Sequence, residues 1–155
     1  MKKSWKYGLI GAAAALAIHD PPLIIIDMGT ATTMTVIDRE ARVLGGAIIP
    51  GVGISLEALA NGTSQLPHIS LDAPKKCIST DTVEAMRSGS VYGTAAMLDG
   101  MIERMEAELG EPAAVIATGG LGGCIIPYCR REITYDKNLL LNGLWALYQK
   151  NKRKR

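Results

Sequence analysis

Three short runs of apolar and β-branched residues follow one another early in the chain, separated by tight turns. They cover residues 23–26, 34–38 and 43–49. Their length and composition are typical of buried strands, and the short links between them favour antiparallel pairing. We therefore predict that residues 23–49 form one three-stranded antiparallel unit, with the turn of residues 27–33 at one end.

Apolar residues recur at helical spacing after residue 50. The longest such stretch covers about residues 82–109, where Thr80-Asp81-Thr82 supplies capping groups at the start and Gly110 ends the helix. We predict shorter helices at 54–60, 121–129 and 137–149, and strands at 113–117 and near 133. With an Ala-rich helix at the start, the order is α-βββ-α-α-β-α-β-α, which predicts an α/β fold.

The first 22 residues allow two interpretations. A basic start, an apolar stretch from Leu9 to Ile18 and the triplet Ala15-Leu16-Ala17 fit a secretory signal peptide with its cleavage site. Alternatively, the same stretch is a helix that packs on the following domain, because Ala and Leu favour helices. Asp20-Pro21-Pro22 would end such a helix.

Composition and charge narrow the possible classes of protein. The 155 residues suffice for one domain with a core. No apolar run approaches the roughly 18 residues of a membrane-spanning helix, so we expect no membrane partner. Residues 7–149 carry nine basic and fifteen acidic side chains, which argues against a nucleic-acid partner.

The cysteines indicate a reduced, cytoplasmic protein. Cys77, Cys124 and Cys129 are an odd number without tight metal spacing, and the chain has only two histidines. A zinc site is therefore not predicted. We expect reduced, partly buried thiols, as is usual in the cytosol.

The first candidate site is Asp27-x-Gly29-Thr30-Ala31-Thr32-Thr33, directly after the first strand. Glycine permits a tight turn in which backbone approaches a ligand closely. Exposed N–H groups and hydroxyls can hold phosphate oxygens, while the carboxylate holds a cation. The alternative is an ordinary hairpin turn with surface threonines.

The second candidate site is Ala117-Thr118-Gly119-Gly120, between a predicted strand and a helix. Two glycines at that place let a flat ring or a phosphate approach the backbone and the helix N-terminus. Alone, a Gly-Gly pair also makes ordinary turns. The two candidate sites in this order are a more specific signal than either site alone. They are typical of the second lobe of the actin-like ATPase and sugar-kinase (ribonuclease H-like) fold.

On these residues the chain resembles the C-terminal half of a type III pantothenate kinase, a family similar to the Bvg accessory factors. The resemblance covers about residues 8–151 and favours the Ala-rich helix over the signal peptide. The matching residues are Pro22 to Thr33, Leu44 to Gly51, Ser64-Gln65-Leu66-Pro67, Thr80-Asp81-Thr82, Ser88-Gly89 with Tyr92-Gly93, Ala117 to Gly120, and Leu140 to Leu144.

The resemblance implies ATP-dependent phosphorylation of pantothenate, on the route to coenzyme A, by a cytoplasmic homodimer. It implies ATP with Mg²⁺ and a monovalent cation, K⁺ or NH₄⁺. Asp27 would be the cation ligand and Thr82 the pantothenate contact. The residues implied for ATP binding are Gly29, Thr30, Thr32, Gly119 and Gly120.

The chain also departs from the family pattern. The family's N-terminal lobe with its first phosphate loop has no counterpart here, and the position of the family's general base, an Asp, falls on Tyr7. Tyr has an ordinary pKa near 10 and is a poor base at neutral pH. No catalytic residue is therefore named. We divide the chain into an atypical extension (1–7), a C-terminal kinase lobe (8–149) and a basic tail (150–155).

Two alternative functions stay open at this stage. One is a catalytically inactive remnant of the family that dimerises or regulates, and the other is a different actin-like small-molecule kinase. For the homodimer we predict an interface on the helix of residues 82–109. Its methionines and the pair Gly89 and Gly93 suggest a closely packed helix crossing.

Overall fold

The predicted strands assemble into one mixed sheet in the computed structural model, which describes residues 6–152. β1 (Leu23–Met28), β2 (Ala31–Ile37) and β3 (Val43–Pro50) are consecutive antiparallel strands. β4 (Ala114–Thr118) pairs with β1 in parallel. β5 (Thr134–Tyr135) pairs with β4, also in parallel. The order is β3-β2-β1-β4-β5, so the predicted antiparallel unit is confirmed.

Helices cover both faces of the sheet. The Ala-rich helix α1 is present and packs against α5, and both lie on the face that carries Leu23, Ile25 and Ile116. α2 and α3 lie on the opposite face, over Ile24 and Ile26. The helices are α1 (Lys6–Leu16), α2 (Val52–Asn61), α3 (Thr82–Leu109), α4 (Gly122–Ile125), followed by a 3-10 turn (Ile126–Tyr128), and α5 (Leu139–Lys152).

The apolar run of β1 is explained by its central place. Successive side chains of a strand point to opposite faces, and both faces are covered by helices. Leu23, Ile24 and Ile26 are therefore fully buried, and Ile25 nearly so. A strand buried on both faces has a continuous apolar sequence instead of an alternating one, which is the pattern of residues 23–26.

Helix α3 begins and ends at the predicted residues. The Asp81 carboxylate accepts a hydrogen bond of 3.0 Å from the backbone N–H of Glu84, which satisfies one of the free donors at the N-terminus. Gly110 adopts the left-handed conformation with φ 81°, and its N–H donates to the Glu106 carbonyl oxygen at 2.9 Å. These two caps fix the ends of the helix.

The close helix crossing within the chain joins α1 and α5 and does not involve Gly89 or Gly93, so their predicted role in a homodimer stays a prediction. An added Cβ at Gly89 or Gly93 would meet no atom within 4 Å, whereas one at Gly143 of α5 would lie 2.3 Å from Ala14 of α1. Gly143 therefore lets α1 and α5 approach each other. The methionines assigned to a dimer seam pack within the chain: Met86 is buried, and Met97, Met101 and Met105 pack against the core.

The two ends of the chain lie largely outside the described part. Tyr7 belongs to the backbone of α1, but its side chain is not among those described, so its place at the family's base position stays a prediction. Helix α5 continues to Lys152, beyond the predicted end at 149.

Among the residues described, no helix has both the length and the apolar character needed to cross a membrane.

Candidate functional site

The two candidate sites of the sequence meet at one edge of the sheet. β1 and β4 are parallel neighbours, with Asp27 paired with Thr118, so their carboxyl ends lie side by side. The backbone N–H of Leu121, after β4, donates to the carbonyl oxygen of Met28 at 3.4 Å. The turn at Gly29–Thr30 and the turn at Gly119–Gly120 are therefore adjacent.

Gly119 is required by the geometry of the second turn. Its φ is +97°, and a Cβ there would lie 2.5–2.7 Å from backbone atoms of Met28. Only glycine adopts this conformation readily and leaves that space free. Gly120 is exposed, and an added Cβ would meet no atom within 4 Å, so its backbone faces open space where a ligand can approach.

A third backbone segment joins this edge, and sequence analysis missed it. A Cβ on Gly51 would lie 2.3 Å from the carbonyl oxygen of Thr30 and 2.7 Å from that of Gly29. Gly51 is also the N-cap of α2, with no hydrogen bond from a capping side chain. Gly51 ends the segment from Leu44 that matches the family, but no role in a site is predicted for it there. Its close approach to the first turn depends on the β2–β3 register, which local sequence does not display.

The hydroxyls of the first turn differ in exposure. Gly29 and Thr30 are exposed at the turn. Thr32 is buried, with 1% of its surface exposed, and it pairs with Met28 on the face covered by α3. The Thr32 hydroxyl therefore points into the lobe. Its contact with ATP stays a prediction, and that contact would require the backbone of Thr32 or a rearranged side chain.

Asp27 lies half-buried between two threonines on the same face of the sheet. It pairs with Thr33 of β2 and with Thr118 of β4. Burial raises the pKa of the Asp27 carboxyl above its ordinary value, because a charge is less well solvated there. Within residues 6–152, no group of three or more His, Cys, Asp or Glu could hold a metal ion. A cation at Asp27 would meet one carboxylate together with the neutral oxygens of Thr33 and Thr118.

The substitution Asp27→Asn should make stability depend less on pH. A carboxyl group whose pKa is higher in the folded state than in the unfolded state stabilises the folded state at pH values below its unfolded-state pKa. This stabilisation is lost as the pH rises through the folded-state pKa. We expect Asp27→Asn to be more stable than the parent at pH 7, by no more than about 1 kcal/mol because the group is half-exposed.

The difference in the free energy of unfolding should vanish near pH 3, where the parent carboxyl is protonated. Urea unfolding between these pH values measures it. Glu57→Gln, at an exposed position of α2, is the matched control. An Asp27→Asn chain that is less stable than the parent at pH 7 would contradict this account.

Thr82 lies in a groove between α2 and α3 of about 640 Å³. The groove walls are mainly apolar, and Thr82, Ser55 and Ser90 add hydroxyls. Pro50 and Val52, which flank Gly51, also line it. The groove therefore extends from the residues on either side of Gly51 to the start of α3, and the predicted roles of Thr82 and of the ATP residues stay predictions.

The three cysteines are free thiols, but Cys77 and Cys124 are exposed, so the predicted partial burial is wrong for them and holds only for Cys129. Burial, with a further contribution from the Asp99 carboxylate, raises the pKa of Cys129 to about 12. The Cys129 thiol therefore stays protonated at neutral pH and is not a candidate nucleophile.

The sequence has close similarity to one family. The profile of the family described as type III pantothenate kinase matches residues 8–104. A type III pantothenate kinase from Exiguobacterium sp. is 44% identical over 145 residues, which are 94% of this chain and 57% of that protein. One from Rhodospirillum rubrum is 41% identical over 143 residues, which are 92% and 56% of the two chains. The chain spans about half the length of the curated relatives it matches.

Solved structures share the fold. A protein from Campylobacter jejuni described as a Baf family transcriptional activator has a TM-score of 0.63 at 24% identity, over 91% of this chain and 63% of that one. The Alp12 filament structure has a TM-score of 0.59 at 16% identity, over 94% and 52%. At these identities the likeness concerns the fold alone, and the predicted α/β fold of the actin-like ATPases is confirmed.

Proposed function

The chain belongs to the type III pantothenate kinase family, and we propose that it forms the ATP-binding lobe of an enzyme that phosphorylates pantothenate to 4'-phosphopantothenate. The observation that carries this proposal is the meeting of three glycine-containing segments, at Gly29, Gly51 and Gly119, on one edge of the sheet. Phosphoryl transfer depends mainly on positioning and charge neutralisation. Backbone without Cβ atoms lets phosphates approach donor N–H groups closely.

ATP fits this edge with its phosphates at the first turn and its adenosine at the second. In this arrangement Gly29 and the Thr30 hydroxyl contact phosphate oxygens, while Gly119 and Gly120 flank the adenosine. Mg²⁺ is usually held by one or two carboxylates together with substrate phosphates, and ATP at the first turn would supply the phosphates.

Asp27 is proposed as the ligand of the monovalent cation, K⁺ or NH₄⁺. Its half-buried carboxylate is destabilised by burial, and a bound cation would compensate that loss of solvation. The cation would supply positive charge beside the phosphates of ATP. Thr33 and Thr118, its pairing partners, offer neutral oxygens on the same face.

Pantothenate is proposed to occupy the groove between α2 and α3. The groove's apolar walls suit the dimethyl part of pantothenate, and the Thr82 hydroxyl can hydrogen-bond its polar groups. The groove begins beside the first turn, so an acceptor hydroxyl held there would lie near the phosphates. A cytoplasmic location is part of the proposal, because coenzyme A biosynthesis by this route is expected there.

An inactive, dimerising or regulatory member of the family is the alternative. The chain spans about half the length of its relatives, and Tyr7 stands at the position of the family's general base. ATP binding without turnover is the property that would favour this alternative. The family match argues against the other alternative, an actin-like kinase for a sugar or acetate.

The experiment that tests the proposed function is calorimetric titration of the purified chain with ATP in the presence of Mg²⁺ and K⁺. Saturable binding that weakens when K⁺ is replaced by a bulky organic cation supports the proposal. A chain that gives no heat of binding at millimolar ATP contradicts it.

A homodimer through one exposed face of α3 is proposed as the assembly, and this face borders the groove proposed for pantothenate, which Gly89 and Gly93 also line. Gly89, Gly93, Ala96 and Gly100 follow one another at helical spacing, and Gly89, Gly93 and Ala96 are exposed. Glycine inside a helix costs about 1 kcal/mol relative to Ala. Close approach of a second α3 would offset this cost, and small side chains would permit that approach.

Gly93→Leu should convert such a dimer into a monomer without unfolding the chain. An added Cβ at Gly93 meets no atom within 4 Å of the same chain, and Leu favours helix over Gly by up to about 1 kcal/mol. Sedimentation at micromolar concentration measures the mass, and thermal unfolding measures the stability. Ala107→Leu, at an exposed position near the end of α3, is the control and should stay dimeric. A parent chain that sediments as a monomer would contradict the proposal.

A further inference from the structure

The short strand β5 brings an aromatic side chain to the second turn. β5 has two residues, Thr134 and Tyr135, and Tyr135 pairs with Ala117 of β4. The backbone N–H of Asp136 donates to the carbonyl oxygen of Ala117 at 2.9 Å. The backbone of Tyr135 is thus fixed directly beside the last residues of β4, where the turn begins.

The Tyr135 side chain contacts both ends of the turn. Its hydroxyl donates a hydrogen bond of 2.8 Å to the carbonyl oxygen of Gly119. A Cβ on Gly122 would lie 2.4 Å from the Cε2 atom of the ring, and one on Gly123 would lie 3.6 Å from Cε1. The ring therefore packs directly against the backbone of Gly122, where any larger residue would displace it.

The turn needs such support because of its composition. Four of the five residues from Gly119 to Gly123 are glycine, and glycine loses more conformational freedom on ordering than any other residue. Within the turn, the N–H of Gly122 donates to the Gly119 carbonyl oxygen at 3.3 Å. That oxygen accepts a second hydrogen bond from Tyr135, which lies outside the turn and is held by the sheet.

We propose that Tyr135 is a positioning residue for nucleotide binding, which holds the Gly119–Gly123 turn in the conformation that receives the adenosine of ATP. This inference rests on the proposed function, because it assumes that the turn contacts the nucleotide. Holding the turn before the ligand arrives reduces the entropy lost on binding. Tyr135 itself touches the turn and not the ligand.

The test is Tyr135→Phe, which removes the hydroxyl and keeps the ring. Calorimetry measures the affinities of the 155-residue chain for ATP and for inorganic tripolyphosphate, which lacks adenosine. We expect about fivefold weaker ATP binding, the equivalent of one net hydrogen bond, and unchanged tripolyphosphate binding. Tyr148→Phe, on the exposed side of α5 and stacked on Trp145, is the matched control and should bind both ligands like the parent.

The possible outcomes separate this inference from the proposed function. ATP binding by Tyr135→Phe within about twofold of the parent overturns the inference alone. Equal weakening of ATP and tripolyphosphate binding also overturns it, because a general loss of structure would affect both ligands. A parent chain that binds no ATP overturns the proposed function and the inference together.

Discussion

The purified 155-residue chain, supplied with ATP, Mg²⁺, K⁺ and pantothenate, should release no measurable pantothenate-dependent ADP. A phosphoryl-transfer site needs a phosphate cradle, a cation and an aligned acceptor. The first turn, Asp27 and Thr82 are proposed to supply parts of these. The 155 residues cover 57% of the Exiguobacterium relative, and neither the first phosphate loop nor the carboxylate base that the resemblance implies is predicted among them.

The expected loss of rate is large. A missing general base alone lowers the rate by about 10²–10⁴-fold, and the loss of a facing lobe removes positioning worth several kcal/mol more. The assay is coupled ADP release, with the full-length Exiguobacterium relative as the positive control. Activity within about tenfold of that relative would contradict the expectation and would mean that another residue of this chain acts as the base.

Gly119→Ala should destabilise the fold by about 2–4 kcal/mol. Positive φ costs a residue with a Cβ about 1–2 kcal/mol, and the observed φ is +97°. The new Cβ would also lie 2.5–2.7 Å from the backbone of Met28, and overpacking of this kind typically costs about 1–3 kcal/mol. The neighbouring strand β1 is central in the sheet and has no room to move away.

Gly120→Ala is the matched control for Gly119→Ala. Its added Cβ meets no atom within 4 Å, so we expect its free energy of unfolding to stay within about 0.5 kcal/mol of the parent. Chemical denaturation of the three proteins measures both effects. If Gly119→Ala were as stable as Gly120→Ala, the assigned geometry of the second turn would be wrong.

The sequence was sufficient for the strands because their signals are local. Residues 23–26 are apolar without alternation, as a strand buried on both faces must be, and the glycines and threonines after it mark the turn. The pairing of Asp27 with Thr118 was not predicted, since their separation along the chain is long. Features that depend only on residues adjacent in the sequence were therefore predictable.

The missed features depend on contacts between distant segments. Gly51 approaches Thr30 because of the β2–β3 register, and Tyr135 reaches Gly119 because β5 pairs with β4. Gly51 lies in a segment that matches the family and Tyr135 does not, but the sequence around them predicts no role in a site for either residue. Thr32 was assigned to the ligand together with Thr30, but alternation along β2 directs its side chain into the core.

The central place of β1 also bears on the order in which the molecule folds. Its antiparallel partner β2 follows after a two-residue turn, whereas its parallel partner β4 follows only after β3, α2 and α3. Closing a long loop costs more entropy than closing a hairpin, and distant pairings slow folding. The meander can therefore form early, whether in solution or during synthesis from the N-terminus. The edge that unites the two turns is completed only when β4 docks, so the proposed nucleotide site is among the last parts of the chain to form.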